Sequence, residues 1–174
     1  MDPQATLQQW QEDEAAVRPG LMAPGVATRE QLSERSGLEF LNAILHGELP
    51  VAPIGALLNF VPVKVDHGLM IFQGTPAPEH YNLIGMVHGG YAATLLDSCV
   101  GCAIQTMLPA GKGYSTLELK VNYIKALTDK TGPIRAEGRV ISVGKQVALA
   151  EGRITDVHGK LYAHATTTCL VFPI

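Results

Sequence analysis

A chain of 174 residues with formal net charge −3, 47% hydrophobic and 17% charged residues is long enough for one domain with a sizeable core. The mild negative charge and the lack of a basic stripe argue against nucleic acid as a partner. No apolar run is long enough to cross a membrane, and the polar, acidic start MDPQATLQQWQEDE does not read as a signal peptide. The three cysteines cannot all pair, so the expected setting is a reducing cytoplasm, and the low charged fraction leaves surface for partner subunits to cover.

Residues 1–27 show little periodicity and carry Pro3, Pro19 and Pro24. They read as an irregular leader with a short helical piece around Trp10, and residues 1–36 as an N-terminal extension to a domain over 37–174. Thr28-Arg29-Glu30-Gln31 has the form of a capping box. Leu38, Leu41, Ile44 and Leu45 then give a short amphipathic helix ending near Gly47. Pro50 and Pro53 break the chain, and Ile54–Leu58 reads as another helical turn. FVPVKVD and LMIFQGT, separated by His67-Gly68, form a hairpin pattern.

A loop with Pro76 and Pro78 leads to Asn82 and to a helix over about 88–107 that is apolar on nearly all sides, and is therefore expected to be buried. Four strand-like runs follow, 114–126, 133–143, 146–156 and 160–172, with turns at Gly144-Lys145 and His158-Gly159. The expected architecture is α+β, an antiparallel sheet curled around one central helix.

Two candidate sites carry little weight. Cys99 and Cys102 have the CxxC spacing, yet with no second pair and a helical phase they read as core residues. The six histidines are scattered, so no zinc site is expected.

Asp97 carries more. Around it on the helix lie Gly90, Ala93, Thr94 and Gly101, a stripe of small residues about a charge. A close helix approach and space left for a ligand explain the stripe equally well. Gly89 and Gly90 would leave open N–H groups at a helix start, suited to an oxyanion and reinforced by the helix dipole, or they simply serve a tight turn. Asn82 offers an amide donor or a turn residue. Alternation in YSTLELKVNY puts Ser115 on the face of Leu117, Leu119 and Val121, the face expected to meet the helix, where its hydroxyl either reaches Asp97 or is simply a satisfied buried serine, the latter being the plainer reading of Ser115 alone.

N82-x2-G85-x2-H88-G89-G90 followed by D97, together with the later GRV-x3-GKQVALAEGRITD-x2-GKLYAHATTT, resembles the PaaI-type acyl-CoA thioesterases of the hotdog-fold superfamily over about residues 50–172. The resemblance implies hydrolysis of the thioester of acyl-coenzyme A, with coenzyme A as part of the substrate and no metal or redox cofactor. Asp97 would be the nucleophile or the general base, and the Gly89 N–H would polarise the carbonyl. Asn82 would hold the carbonyl or the water, and Ser115 would orient Asp97 or the water. His88 would shape the turn and touch the thioester, with Gly90 beside it. Lys125 and Lys145, near strand ends, are candidates for the coenzyme A phosphates. In such enzymes Asp and Ser come from one subunit and Asn and Gly from its partner, so the homodimer is the catalytic unit and a homotetramer the usual assembly.

The chemistry is self-consistent. A thiolate with a pKa of about 8.5 leaves without a dedicated general acid, so one carboxylate and an electrophilic hole suffice. Two rivals differ in their residues: a hotdog dehydratase would pair His with a carboxylate at another spacing, and a non-catalytic acyl-CoA-binding domain would not need Asp97. The helix at 37–46 and the apolar segment 51–61 are candidates to line a pocket for a medium-chain or aromatic acyl group.

Overall fold

The computed structural model describes residues 2–174. Four helices precede the sheet: α1 (Pro3–Val17), α2 (Arg29–Ser33), α3 (Gly37–Leu45) and α4 (Pro53–Leu57). Strands β1 (Phe60–Asp66) and β2 (Leu69–Gly74) form the first hairpin, and helix α5 (Gly89–Gln105) follows. Then come β3 (Lys112–Tyr123), β4 (Ile134–Val143), β5 (Val147–Asp156) and β6 (Leu161–Pro173). The six strands make one antiparallel sheet in the order β1-β2-β4-β5-β6-β3, so the connection through α5 sends β3 to the far edge. This is the hotdog fold expected from the sequence.

The sheet wraps α5 because small residues let it. A Cβ added to Gly138 on β4 would lie 2.2 Å from the Cys99 carbonyl oxygen, and one on Gly152 of β5 would lie 2.7 Å from Val100 Cγ1. Leu95, Leu96, Cys99, Val100, Ala103 and Ile104 are thereby fully removed from water. Burying each of the larger side chains contributes about 1.5–3 kcal/mol.

The helical piece expected around Trp10 is longer than its short reading, a continuous helix over Pro3–Val17, while residues 21–27 are irregular as expected. Asp2 caps the helix, accepting from the Gln4 N–H, and Pro3 sits where no hydrogen-bond donor is needed. Its periodicity is weak because it buries no residue and is held by polar contacts instead. Gln73 on β2 donates to the Trp10 carbonyl (3.0 Å) and to Glu14 Oε2 (2.7 Å), Arg135 on β4 pairs with Asp13, and the Arg135 guanidinium stacks 4.6 Å over the Trp10 ring. The Arg135 hydrogen bond draws the Asp13 carboxyl below its usual range against the opposing effect of partial burial. All three cysteines are free thiols.

Candidate active site

Asp97 sits two turns into α5, half-buried, and its Oδ1 accepts a hydrogen bond from Thr116 Oγ1 at 2.9 Å. The hydroxyl expected there from Ser115 is elsewhere. A β-bulge between Thr116 and Glu118 shifts the β3–β6 register by one residue, so that Leu117 is the extra residue. Tyr114 and Thr116 before the bulge, and Leu119 and Val121 after it, share the helix-facing side. Ser115 pairs with Leu170 on the exposed side and points away from Asp97. Strict alternation counted back from Val121 is out of phase by one residue, and Thr116 takes the position given to Ser115.

The small-residue stripe has two explanations in one helix. At Gly101 the space is filled by Tyr114, whose hydroxyl would lie 2.5 Å from an added Cβ, so this glycine serves close approach. At Asp97 the space is open. The carboxylate lines a cavity of about 230 Å³ together with Ser98, Cys102 and Tyr114. Burial pushes the Cys102 thiol up to about 11, so it stays protonated at neutral pH and is a poor nucleophile.

The start of α5 forms a second cavity, about 300 Å³, lined by Asn82, His88, Gly89, Tyr123, Lys125 and Tyr162 among others. His88 is the N-cap, its Nδ1 accepting from the Gly90 N–H at 2.8 Å. That bond uses the Gly90 donor, so Gly90 belongs to the cap and has no N–H to offer a ligand. The Gly89 N–H meets no acceptor among the described residues, while its carbonyl accepts from Tyr123 Oη at 3.0 Å. An added Cβ at Gly89 would stand 3.2–3.3 Å from the Tyr123 ring. Gly89 therefore presents an open N–H at the positive end of a 17-residue helix.

Asn82 combines both of its readings. Its Oδ1 accepts from the N–H groups of Ile84 and Met86, each at 3.1 Å, which builds the turn containing Gly85 at φ +78°. This fixes the amide orientation and leaves Nδ2 as a donor on the cavity that Gly89 shares.

Lys125 lines this cavity, but Lys145 does not. Lys145 lies in the β4–β5 turn, at the opposite end of the ten-residue strand β5, roughly 30 Å away at strand rise. The lysine that does accompany Lys125 is Lys160, just after the His158-Gly159 turn. Asp156 builds that turn by accepting from the N–H groups of His158 (2.9 Å) and Lys160 (3.0 Å), and the Lys160 ammonium lies 5.6 Å over the Tyr162 ring. The neighbouring Lys160 side chain holds the Lys125 amine below the usual lysine range. No sequence spacing pairs these residues, because only the sheet brings the end of β3 beside the β5–β6 turn.

The two cavities sit at different heights on α5. Asp97 is eight residues beyond Gly89, about 12 Å along the helix axis. One carbonyl cannot meet the Gly89 N–H and the Asp97 carboxylate of the same chain.

Comparison with known proteins agrees with this architecture. Residues 84–163 match the Thioesterase superfamily profile. A "putative esterase" of Saccharolobus solfataricus is 34% identical over 119 residues, 67% of this chain and 77% of that protein. A crystal structure from Ralstonia eutropha JMP134, described as a "putative thioesterase, phenylacetic acid degradation-related protein", superposes with a TM-score of 0.68 at 28% identity, covering 74% of this chain and 97% of that one. The smu.793 protein of Streptococcus mutans, solved bound to acetyl CoA, superposes with a TM-score of 0.60 at 27% identity, covering 66% of this chain and 90% of that one. With a relative this similar over more than three quarters of its length, and with the matching fold, the chain belongs to the thioesterase superfamily, whose chemistry is hydrolysis.

Proposed function

We propose that this protein hydrolyses acyl-coenzyme A thioesters at a site completed by two copies of the chain. The observation that carries the reading is the separation on α5 of an open N–H at Gly89 from a half-buried carboxylate at Asp97. Each is half of a thioesterase site. The acetyl CoA bound by the Streptococcus mutans relative supports coenzyme A as the carrier.

Strand β3 supplies the means of assembly. It is a 12-residue edge strand whose outer backbone groups have no partner strand among the described residues, a form that proteins commonly complete by pairing. Two β3 edges pairing antiparallel about a two-fold axis at Lys120, with Leu117 left out as the extra residue of the bulge, would set Thr116 of one copy opposite Tyr123 of the other. Both residues face the helices, and they contact Asp97 and Gly89 respectively. The exposed apolar residues Leu83, Ile84, Tyr123 and Ile124 beside the Asn82 cavity fit burial at such an interface.

In the completed site the carbonyl accepts from the Gly89 N–H of one copy, where the helix dipole stabilises the developing oxyanion. Asn82 Nδ2 of that copy donates to the carbonyl or to the water. Asp97 of the other copy, with Oδ1 held by Thr116, either adds through its carboxylate to the carbonyl carbon or takes a proton from attacking water. The C–S bond breaks and the thiolate leaves, unaided at its pKa of about 8.5; where Asp97 has added, water then cleaves the resulting anhydride, releasing the free acid and restoring the carboxylate. Lys125 and Lys160 hold the phosphates of coenzyme A at the rim.

The test is free-thiol release from a panel of acyl-CoA thioesters by the wild type and by Asp97→Asn. The variant keeps the size and most of the hydrogen bonding of the carboxylate, and its kcat is expected to fall about 100-fold or more while acyl-CoA still binds. Binding with no turnover by the wild type would favour a non-catalytic acyl-CoA-binding domain.

A further inference from the structure

The segment preceding the family-matched residues 84–163 builds a wall of the Asp97 cavity. Helix α3 begins hard against the C-terminal end of α5. The Gly37 N–H donates to the Leu108 carbonyl at 2.9 Å, and an added Cβ at Gly37 would overlap the Gln105 carbonyl oxygen at 1.7 Å. A capping box locks this start. The Ser36 N–H donates to Glu39 Oε2 at 2.8 Å, and Ser36 Oγ accepts from the Glu39 N–H at 3.3 Å. From this anchored start, Leu41 and Ile44, three residues apart on one face, reach the cavity. Ile54 and Gly55 of α4 close it from the side, and Phe60 and Phe72 of the sheet complete the apolar surface.

Asp97 is the single charged residue in the lining. A carboxylate at one side of a chamber lined mostly by apolar side chains fits a substrate that is reactive at one end and hydrocarbon beyond it. At an interior packing density of about 0.75, a chamber of about 230 Å³ takes on the order of eight carbon-sized groups.

We infer that the α3–α4 segment is the specificity-determining wall of an acyl pocket, and that the pocket takes an apolar acyl group of about eight carbon atoms. This rests on the acyl-CoA thioesterase reading and adds the class of acyl group and the residues that select it. A two-carbon acyl group leaves the chamber mostly empty and forgoes the burial of the further methylenes that a longer chain would place there. A sixteen-carbon chain exceeds its volume.

The experiment measures kcat/KM over straight-chain acyl-CoA thioesters of two to sixteen carbons, plus an eight-carbon aryl-acyl thioester that separates chain from ring. It compares the wild type with Ile54→Trp, which fills the chamber from a partly exposed position, and with Ile44→Ala, which enlarges it. The wild type is expected to peak near eight carbons. Ile54→Trp is expected to lower the ratio of kcat/KM for octanoyl-CoA to that for acetyl-CoA tenfold or more, and Ile44→Ala to move the optimum to longer chains. A wild-type optimum at acetyl-CoA, or an equal loss at every length in Ile54→Trp, would overturn the inference while leaving thioester hydrolysis intact. If no thioester is cleaved, the function reading fails by itself, and the pocket is judged by the Kd of the same series. Tighter binding of octanoyl-CoA than acetyl-CoA, abolished by Ile54→Trp, then supports the pocket, and equal binding overturns it.

Discussion

Thr116 Oγ1 donates to Asp97 Oδ1 at 2.9 Å across the interface between β3 and α5, and the β-bulge at Leu117 is what turns Thr116 rather than Ser115 toward the helix. The bond fixes one carboxylate oxygen and leaves the other for chemistry. Thr116→Val keeps the shape and removes the donor, and kcat is expected to fall about tenfold with little change in KM. Ser115→Ala is expected to stay within twofold of wild type. Steady-state kinetics of the two variants check the assignment, and the opposite ranking would contradict it.

The lysine pair predicts a substrate-specific defect. Lys160→Ala is expected to raise KM for acyl-CoA about three- to fivefold and to leave the matching acyl-pantetheine thioester unchanged, because only coenzyme A carries the phosphates. Neutralising Lys145, at the far end of β5, is expected to change neither. The effect has a pH signature. Lys125 has a lowered pKa, and a bound phosphate favours its charged form. Binding of acyl-CoA is therefore strongest below that pKa and weakens as pH rises through it, with no matching trend for acyl-pantetheine.

Stability depends on the close approach of sheet to helix. Gly138→Ala would force a methyl group against the Cys99 carbonyl oxygen and is expected to destabilise the fold by about 2–3 kcal/mol. Gly20→Ala, where nothing lies within 4 Å, is expected to change stability by no more than about 0.5 kcal/mol. Chemical denaturation of both variants gives the comparison.

The sequence carries the fold clearly where burial dictates pattern. The continuous apolar surface of 88–107 marks α5, seen at Gly89–Gln105, and the strands fall within three residues of their expected ends. Helix α1 is not legible this way, because Arg135 and Gln73 hold it from the sheet and its own residues show almost no apolar face. The bulge is equally silent. A period of two is the only register rule available to a reader of YSTLELKVNY, and one extra residue reverses it. Asp97 lines one cavity and Asn82, His88 and Gly89 line the other, and all four stand out in the motif, whereas Lys160 depends on which strand ends become neighbours.

Asp97 of one copy is expected to work with Asn82 and Gly89 of another. Asn82→Asp keeps the oxygen that accepts from Ile84 and Met86 and removes the Nδ2 donor, so the loop is preserved. Prepared separately, Asn82→Asp and Asp97→Asn homodimers each carry two damaged sites and are expected to be nearly inactive. Mixed under conditions of subunit exchange, with one variant tagged and co-purification confirming the exchange, about half the dimers become mixed. Each mixed dimer then has one intact site, so thioesterase activity is expected to recover to about a quarter of wild type. Confirmed exchange with no recovery would place both residues in a site within one chain and contradict the shared centre.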